Sequence, residues 1–133
     1  MRVELSLRVV AFETDYSGMV SNTRYIEYLE RGRNALLKAS GVKVGEVWDK
    51  YGAFFVVRRT EVDYLLPARH EDDILLATWV REHTGATTIL EHVLTRPADG
   101  AILLRSVQTL AYLNEAWRPV RVPAALRTAM PSE

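Results

Sequence analysis

Between Ser21 and Gly41 the apolar residues recur on a helical period, while the apolar runs on either side alternate as strands do. Arg24, Glu27, Arg31, Asn34 and Lys38 stand three or four residues apart and form a polar stripe; Tyr25, Ile26, Tyr28, Leu29, Ala35, Leu36 and Ala39 fill the remaining face. This spacing predicts a helix of about 18 residues, within the usual range for a globular helix. Its start signal is Ser21-Asn22, both good N-cap residues, and its stop is Gly41 after Ser40, where a left-handed residue ends many helices. One amphipathic helix cannot cover its own apolar face. The rest of the chain must therefore build a sheet against it.

The flanking runs supply such a sheet. Val3, Leu5, Leu7, Val9 and Ala11 alternate with Arg2, Glu4, Ser6 and Arg8, as in a strand with one buried face. If that parity persists, Glu13 and Asp15 point the way the core residues do. A short helical segment around 44–50 leads into "YGAFFVVRRTEVDYLLP", which carries aromatic and β-branched residues and halts at Pro67. Three more strands are expected in "DILLATWVREH", "ATTILEHVLTR" and "AILLRSVQTLAYLN", joined at "TGA" and "PADG" by short glycine-containing loops of the hairpin kind. The tail beyond Trp117 contains Pro119, Pro123 and Pro131 and is expected to be an irregular end. The prediction is one α+β domain over 1–133, with its core at 3–120 and a sheet of about five antiparallel strands wrapped around the helix. Phe54, Phe55, Val56 and Val57 are apolar on both parities. Burying both faces of that strand start calls for a second copy of the chain.

Composition narrows the function. Seventeen basic and seventeen acidic side chains leave no net charge, which argues against nucleic acid as the main partner. With no cysteine there is no disulfide, thiolate nucleophile or sulfur-ligated metal. No run approaches the roughly 18 apolar residues of a membrane span, and a cytoplasmic location is expected. His70, His83 and His92 have no spacing suited to one metal, so surface or pairing roles suit them better. Gly-x-Ser-x-Gly, phosphate-cradling and dinucleotide-binding glycine patterns are all missing.

Two blocks carry a family likeness. "TDYSGMVSNTRYIEYLERGR" resembles the acyl-CoA thioesterases of the hotdog fold, in particular the 4-hydroxybenzoyl-CoA thioesterase-like group: an aspartate (Asp15), two residues, a glycine (Gly18), an apolar pair (Met19-Val20), then an aromatic-rich helix running from Tyr25 to Glu30-Arg31. "EVDYLLPARHEDDILL" is similar to that family's strand-Pro-Ala-acidic segment. The resemblance implies that Asp15 attacks a thioester carbonyl or deprotonates the attacking water, while the backbone amide near Asn22 polarises the carbonyl. A thiolate leaves readily, so this chemistry needs neither a triad nor a metal or redox cofactor. Gly18 would bring backbone close to the substrate. Val20, Tyr25, Phe54, Phe55 and Val57 are candidates for contact with the acyl group, the last three from the second strand of a partner subunit. The resemblance also implies a dimer or tetramer. Many relatives carry a histidine where this chain has Asn22 and a tyrosine where it has Ala11, so here the aspartate must work with water and backbone.

Plainer roles exist for the same residues. Asp-Tyr-Ser-Gly is a common turn sequence, and Asn22 is an ordinary helix start. Glu13 could raise the pKa of Asp15 if the two approach, but is expected to be a solvated charge at a strand end. Tyr25 and Tyr28 suit packing, and the strand arginines Arg58, Arg59, Arg81, Arg96 and Arg105 suit solvated faces as well as a CoA phosphate. The rival functions are a non-catalytic acyl-CoA binding or sensing domain, which Ala11 and Asn22 favour, and a hydratase or dehydratase of the same fold.

Overall fold

In the computed structural model, which describes all 133 residues, five strands form one antiparallel sheet. In chain order the elements are β1 (Arg2–Arg8), α1 (Asn22–Ala39), α2 (Val47–Tyr51), β2 (Phe54–Tyr64), β3 (Asp73–His83), β4 (Thr87–Arg96), β5 (Ala101–Leu113) and α3 (Ala124–Ala129). The spatial order is β1-β3-β4-β5-β2, so α1 links the two edge strands and lies across one face of the sheet. That face takes every second residue of the meander. Ile74, Leu76, Thr78 and Val80 on β3, and Leu90, His92 and Leu94 on β4, are buried, while the residues between them are half-buried on the opposite face.

The helix packs through Tyr25, Tyr28, Leu29, Gly32, Leu36 and Leu37. At Gly32 it comes so close to the sheet that a Cβ would stand 2.5 Å from Thr78 Oγ1 and 2.6 Å from Leu76 Cδ2. Its far end closes as the sequence predicts. Gly41 adopts φ +76° while the amides of Gly41 and Val42 bond to the carbonyls of Lys38 and Leu37, which satisfies the last turn.

The core has two apolar lobes under one sheet. Tyr25, Tyr28 and Leu29 cap the first, with Leu7, Ile74 and Leu104; Leu36 and Leu37 cap the second, with Val80, Leu110 and Tyr112. A polar row crosses the sheet where the lobes meet. Thr78 Oγ1 is 2.8 Å from His92 Nδ1, His92 Nε2 is 2.9 Å from Gln108 Oε1, and Gln108 Nε2 reaches Thr60 Oγ1 at 3.3 Å. Each group answers the next, as buried polar groups must. Burial holds the His92 imidazole neutral and pulls its pKa down to about 4.

Two expectations need correcting. Strand parity does not carry on to Glu13 and Asp15, because β1 ends at Arg8 and the chain turns through a 3₁₀ segment, Ala11–Glu13. That turn swings Glu13 inward, where it is buried and accepts hydrogen bonds from the Tyr28 hydroxyl (2.8 Å) and the Val10 amide (3.0 Å); it is not a solvated strand-end charge. The C-terminal segment is not an irregular end. Val122, Leu126 and Met130, at a spacing of four, bury one side of α3 in the second lobe and extend the core beyond 120. The proline before α3 precedes that helix rather than breaking it. No helix of the chain is long and apolar enough to cross a membrane.

Candidate active site

The loop between β1 and α1 is held from three sides. Its start rests on Glu13, whose carbonyl also accepts the Ser21 amide at 3.0 Å. Its tip is a tight turn in which the Asp15 amide bonds to the Met19 carbonyl (2.8 Å) and the Gly18 amide to the Asp15 carbonyl (3.1 Å). Gly18 sits at φ +78°, a conformation that favours glycine. The segment after β2 braces the loop from outside: the Val20 amide bonds to the Ala68 carbonyl (2.9 Å) and the His70 amide to the Gly18 carbonyl (3.0 Å).

That bracing segment is itself tied to the helix. The Tyr25 hydroxyl accepts the Ala68 amide at 3.0 Å, and the Arg96 guanidinium holds the Pro67 carbonyl at 3.1 Å and the Asp72 carboxylate at 3.0 Å. Tyr25 also packs edge-on against Tyr28 and Tyr64, with ring centroids 6.0 and 5.5 Å apart. Burial raises its pKa, so the phenol stays neutral.

The Asp15 side chain stands in solvent. Oδ1 accepts both the Ser17 amide, at 2.8 Å, and the Ser17 hydroxyl. The hydroxyl first and the amide second hold its pKa below the ordinary carboxylate value. The helix start beside it has free donors. Ser21 occupies the N-cap position, but its hydroxyl makes no capping bond, and the amides of Asn22 and Thr23 have no acceptor within the protein. Asp15, Val20, Asn22 and Tyr25 line one cleft of about 320 Å³, walled further by Met19, Tyr64, Leu65, Leu66 and Pro67. A carboxylate, the first residue of a helix at its positive end, and an apolar wall therefore border the same space.

Sequence reasoning places four of the candidate residues at this cleft, with Gly18 shaping the turn beside it. It misses the wall from Tyr64 to Pro67, whose signal is a run of apolar residues ending in proline where a strand should stop. Phe54, Phe55 and Val57 lie elsewhere within the chain. Phe54 and Phe55 line a separate pocket beside the second half of α1, and Val57 is exposed on the edge strand. Glu13 faces the core, bonded to Tyr28 and the Val10 amide, and does not raise the Asp15 pKa.

Comparison with known proteins agrees with this architecture. The sequence profile of the thioesterase-like superfamily matches residues 9–130, and the chain belongs to that superfamily. It is 31% identical over 124 residues to the acyl-CoA thioesterase YbgC of Haemophilus influenzae, covering 92% of this chain and 90% of the relative. It is 25% identical over 125 residues to the chloroplastic acyl-acyl carrier protein thioesterase ATL3 of Arabidopsis thaliana. That match takes in 94% of this chain, which spans only 65% of the plant protein's length. Among solved structures, one described as "Probable Thioesterase from Bartonella henselae" superposes with TM-score 0.84 at 28% identity, over 92% of this chain and all of that one. The 1,4-dihydroxy-2-naphthoyl-CoA thioesterase Slr0204 of Synechocystis superposes with TM-score 0.89 over 97% and 95% of the two chains. At 12% identity it speaks for the fold alone. The fold is the hotdog fold that the two sequence blocks imply.

Proposed function

We propose that the chain is a thioester hydrolase, a cytoplasmic acyl-CoA thioesterase that converts an acyl or aryl thioester and water to the free acid and coenzyme A. The observation that carries this reading is one apolar-walled cleft lined by both Asp15, an ionised carboxylate, and Asn22, the first residue of α1, whose backbone amide has no partner within the chain. Superfamily membership and the thioesterase relatives support it.

With the carbonyl oxygen against the Asn22 amide, the carbon faces Asp15. The carboxylate either attacks that carbon, expelling the thiolate and leaving a mixed anhydride for water to open, or removes the proton of an attacking water. In both routes charge develops on the carbonyl oxygen, where an amide without an internal partner stabilises it most. Neither route requires a metal or redox cofactor. Tyr25 closes the cleft floor and holds the Ala68 brace.

The working form in this reading is a homo-oligomer, a dimer or a pair of dimers, with Phe54, Phe55 and Val57 of one copy adding to the acyl pocket of the next. Supporting this, β2 is an edge strand of eleven residues, and Phe54, Val57, Tyr64, Leu65 and Leu66 are exposed along it and just after it.

Free-thiol release measured over aryl, short-chain and long-chain thioesters, each on coenzyme A and on acyl carrier protein, tests the function. Turnover of at least one CoA thioester is expected. Binding without turnover across the panel would replace the hydrolase with an acyl-CoA binding domain, and preference for carrier-protein thioesters would correct the carrier.

A further inference from the structure

The second pocket, about 380 Å³, lies between the 30–34 turn of α1, the segment around α2 and the first residues of β2. Eleven residues of helix separate Arg33 from Asn22, about 16 Å at the rise of an α-helix, so within one chain this pocket is distinct from the Asp15 cleft. Its polar group is out of place. The Arg33 side chain is only 12% exposed, and its Nε–H is buried without a hydrogen-bond partner. The one carboxylate near it, that of Glu30, is largely exposed and stands 3.8 Å from Nη2, beyond hydrogen-bond length. A guanidinium this buried, with a long ion pair to Glu30 and its Nε–H unanswered, is costly, and burial pulls its pKa below the usual arginine value.

The walls narrow the choice of partner. Trp48 stacks on Phe54 with centroids 4.6 Å apart and planes 16° from parallel, and the Phe55 ring lies 6.0 Å from Arg33 Cζ. Asn34 adds a side-chain amide at the rim. A phosphate dianion would call for more than one cation, and a plain alkyl chain would leave the guanidinium unanswered. A single fork-shaped donor beside flat apolar walls suits a monoanionic carboxylate attached to an aromatic or compact apolar body. The geometry points to this pocket as a binding site for such a carboxylate, with Arg33 pairing the anion and Trp48, Phe54 and Phe55 holding its body.

The carboxylate can come from the far end of a thioester's acyl group, if the pocket joins a neighbouring copy's cleft, or from a free organic acid. The site itself stands without the hydrolase reading, because it rests on binding alone. The probe is benzoate, titrated against the protein with Trp48 fluorescence and the ¹⁵N signal of Arg33 Nε–H as readouts and benzamide as the uncharged control. Saturable benzoate binding that shifts the Arg33 signal is expected, with benzamide at least about tenfold weaker. Arg33→Gln should lose at least about tenfold in benzoate affinity, and Arg33→Lys, which keeps the charge, should lose less. Glutaryl-CoA added to the Asp15→Asn protein then separates the sources: displacement of benzoate assigns the carboxylate to the acyl group, and co-occupancy assigns it to a free acid. Absence of saturable benzoate binding, equal binding of benzamide, or unchanged binding in Arg33→Gln would overturn the assignment. Benzoate binding in a protein without thioesterase activity would sink the proposed function and leave this site standing.

Discussion

Asp15 is kept ionised by a residue two positions away. Ser17 donates to Oδ1 from both hydroxyl and amide, so the carboxylate bears its charge below the ordinary value of 3.8. Because the charged form is the proposed catalyst, lowering the pKa extends the active range toward acid. Ser17→Ala removes the larger cause, and a ¹³C titration of the Asp15 carboxyl should then show its pKa rising toward the ordinary value; no movement would mean that the serine hydroxyl does not set the charge. Two residues earlier, Glu13 does different work. Tyr28→Phe leaves its buried carboxylate with the Val10 amide alone and should cost about 1–3 kcal/mol in denaturant unfolding. Nothing in a strand's alternation distinguishes these two carboxylates. A 3₁₀ turn, which breaks the parity, buries one and exposes the other.

At the scale of elements, the strands and the helix were legible because their periods are clean. The stretch from Asn22 to Ala39 is bounded by the serine and glycine signals that predict it, and the three meander strands fall within the quoted runs. What lies where elements meet was not legible. Gly32 reads as a weak point in a helix, where alanine would normally gain about 1 kcal/mol. Contact with Thr78 and Leu76 reverses the sign, since an added methyl would have to push apart a packed interface. Gly32→Ala should therefore destabilise by about 1–3 kcal/mol, the usual cost of overpacking, seen as a lower Tm. The polar row beneath it was equally hidden, because His92 sits on its strand between two inward leucines, Leu90 and Leu94. Its pKa is depressed to about 4 in the fold and returns to about 6.5 on unfolding. Between those values the unfolded chain binds the extra proton, so stability is complete above pH 6.5 and falls as pH drops toward 4. Depression by that much corresponds to roughly 3 kcal/mol over the window. His92→Gln, which does not titrate, should flatten that part of the stability profile; an unchanged slope would place the acid sensitivity elsewhere.

For the whole molecule, the C-terminal segment belongs to the core. Leu126 is 1% exposed in the second lobe, and Leu126→Ala should cost about 2–5 kcal/mol, measurable by urea unfolding. Prolines at 119, 123 and 131 hid this helix, although the spacing of Val122, Leu126 and Met130 was there to be read. Apolar residues on both faces of the β2 start support the proposed homo-oligomer. Sedimentation at micromolar concentration should give a mass of at least twice 15.1 kDa, and a monomer would leave the exposed residues after β2 without a cover. The sequence also led to the Asp15 cleft, because the proposed catalytic carboxylate and the turn residues are adjacent in one short block. Arg33 was not legible as a site residue, because α2 and the start of β2, which wall its pocket, stand apart from it in the chain.

The proposed hydrolysis depends on Asp15 as its carboxylate. The direct test is kcat for thiol release on the best CoA thioester, comparing wild type with Asp15→Asn and Asp15→Ala of matched Tm. Losses of about 100-fold or more in both variants are predicted. Turnover by either variant at the wild-type rate would return Asp15 to the role of a turn residue and remove the carboxylate from the chemistry.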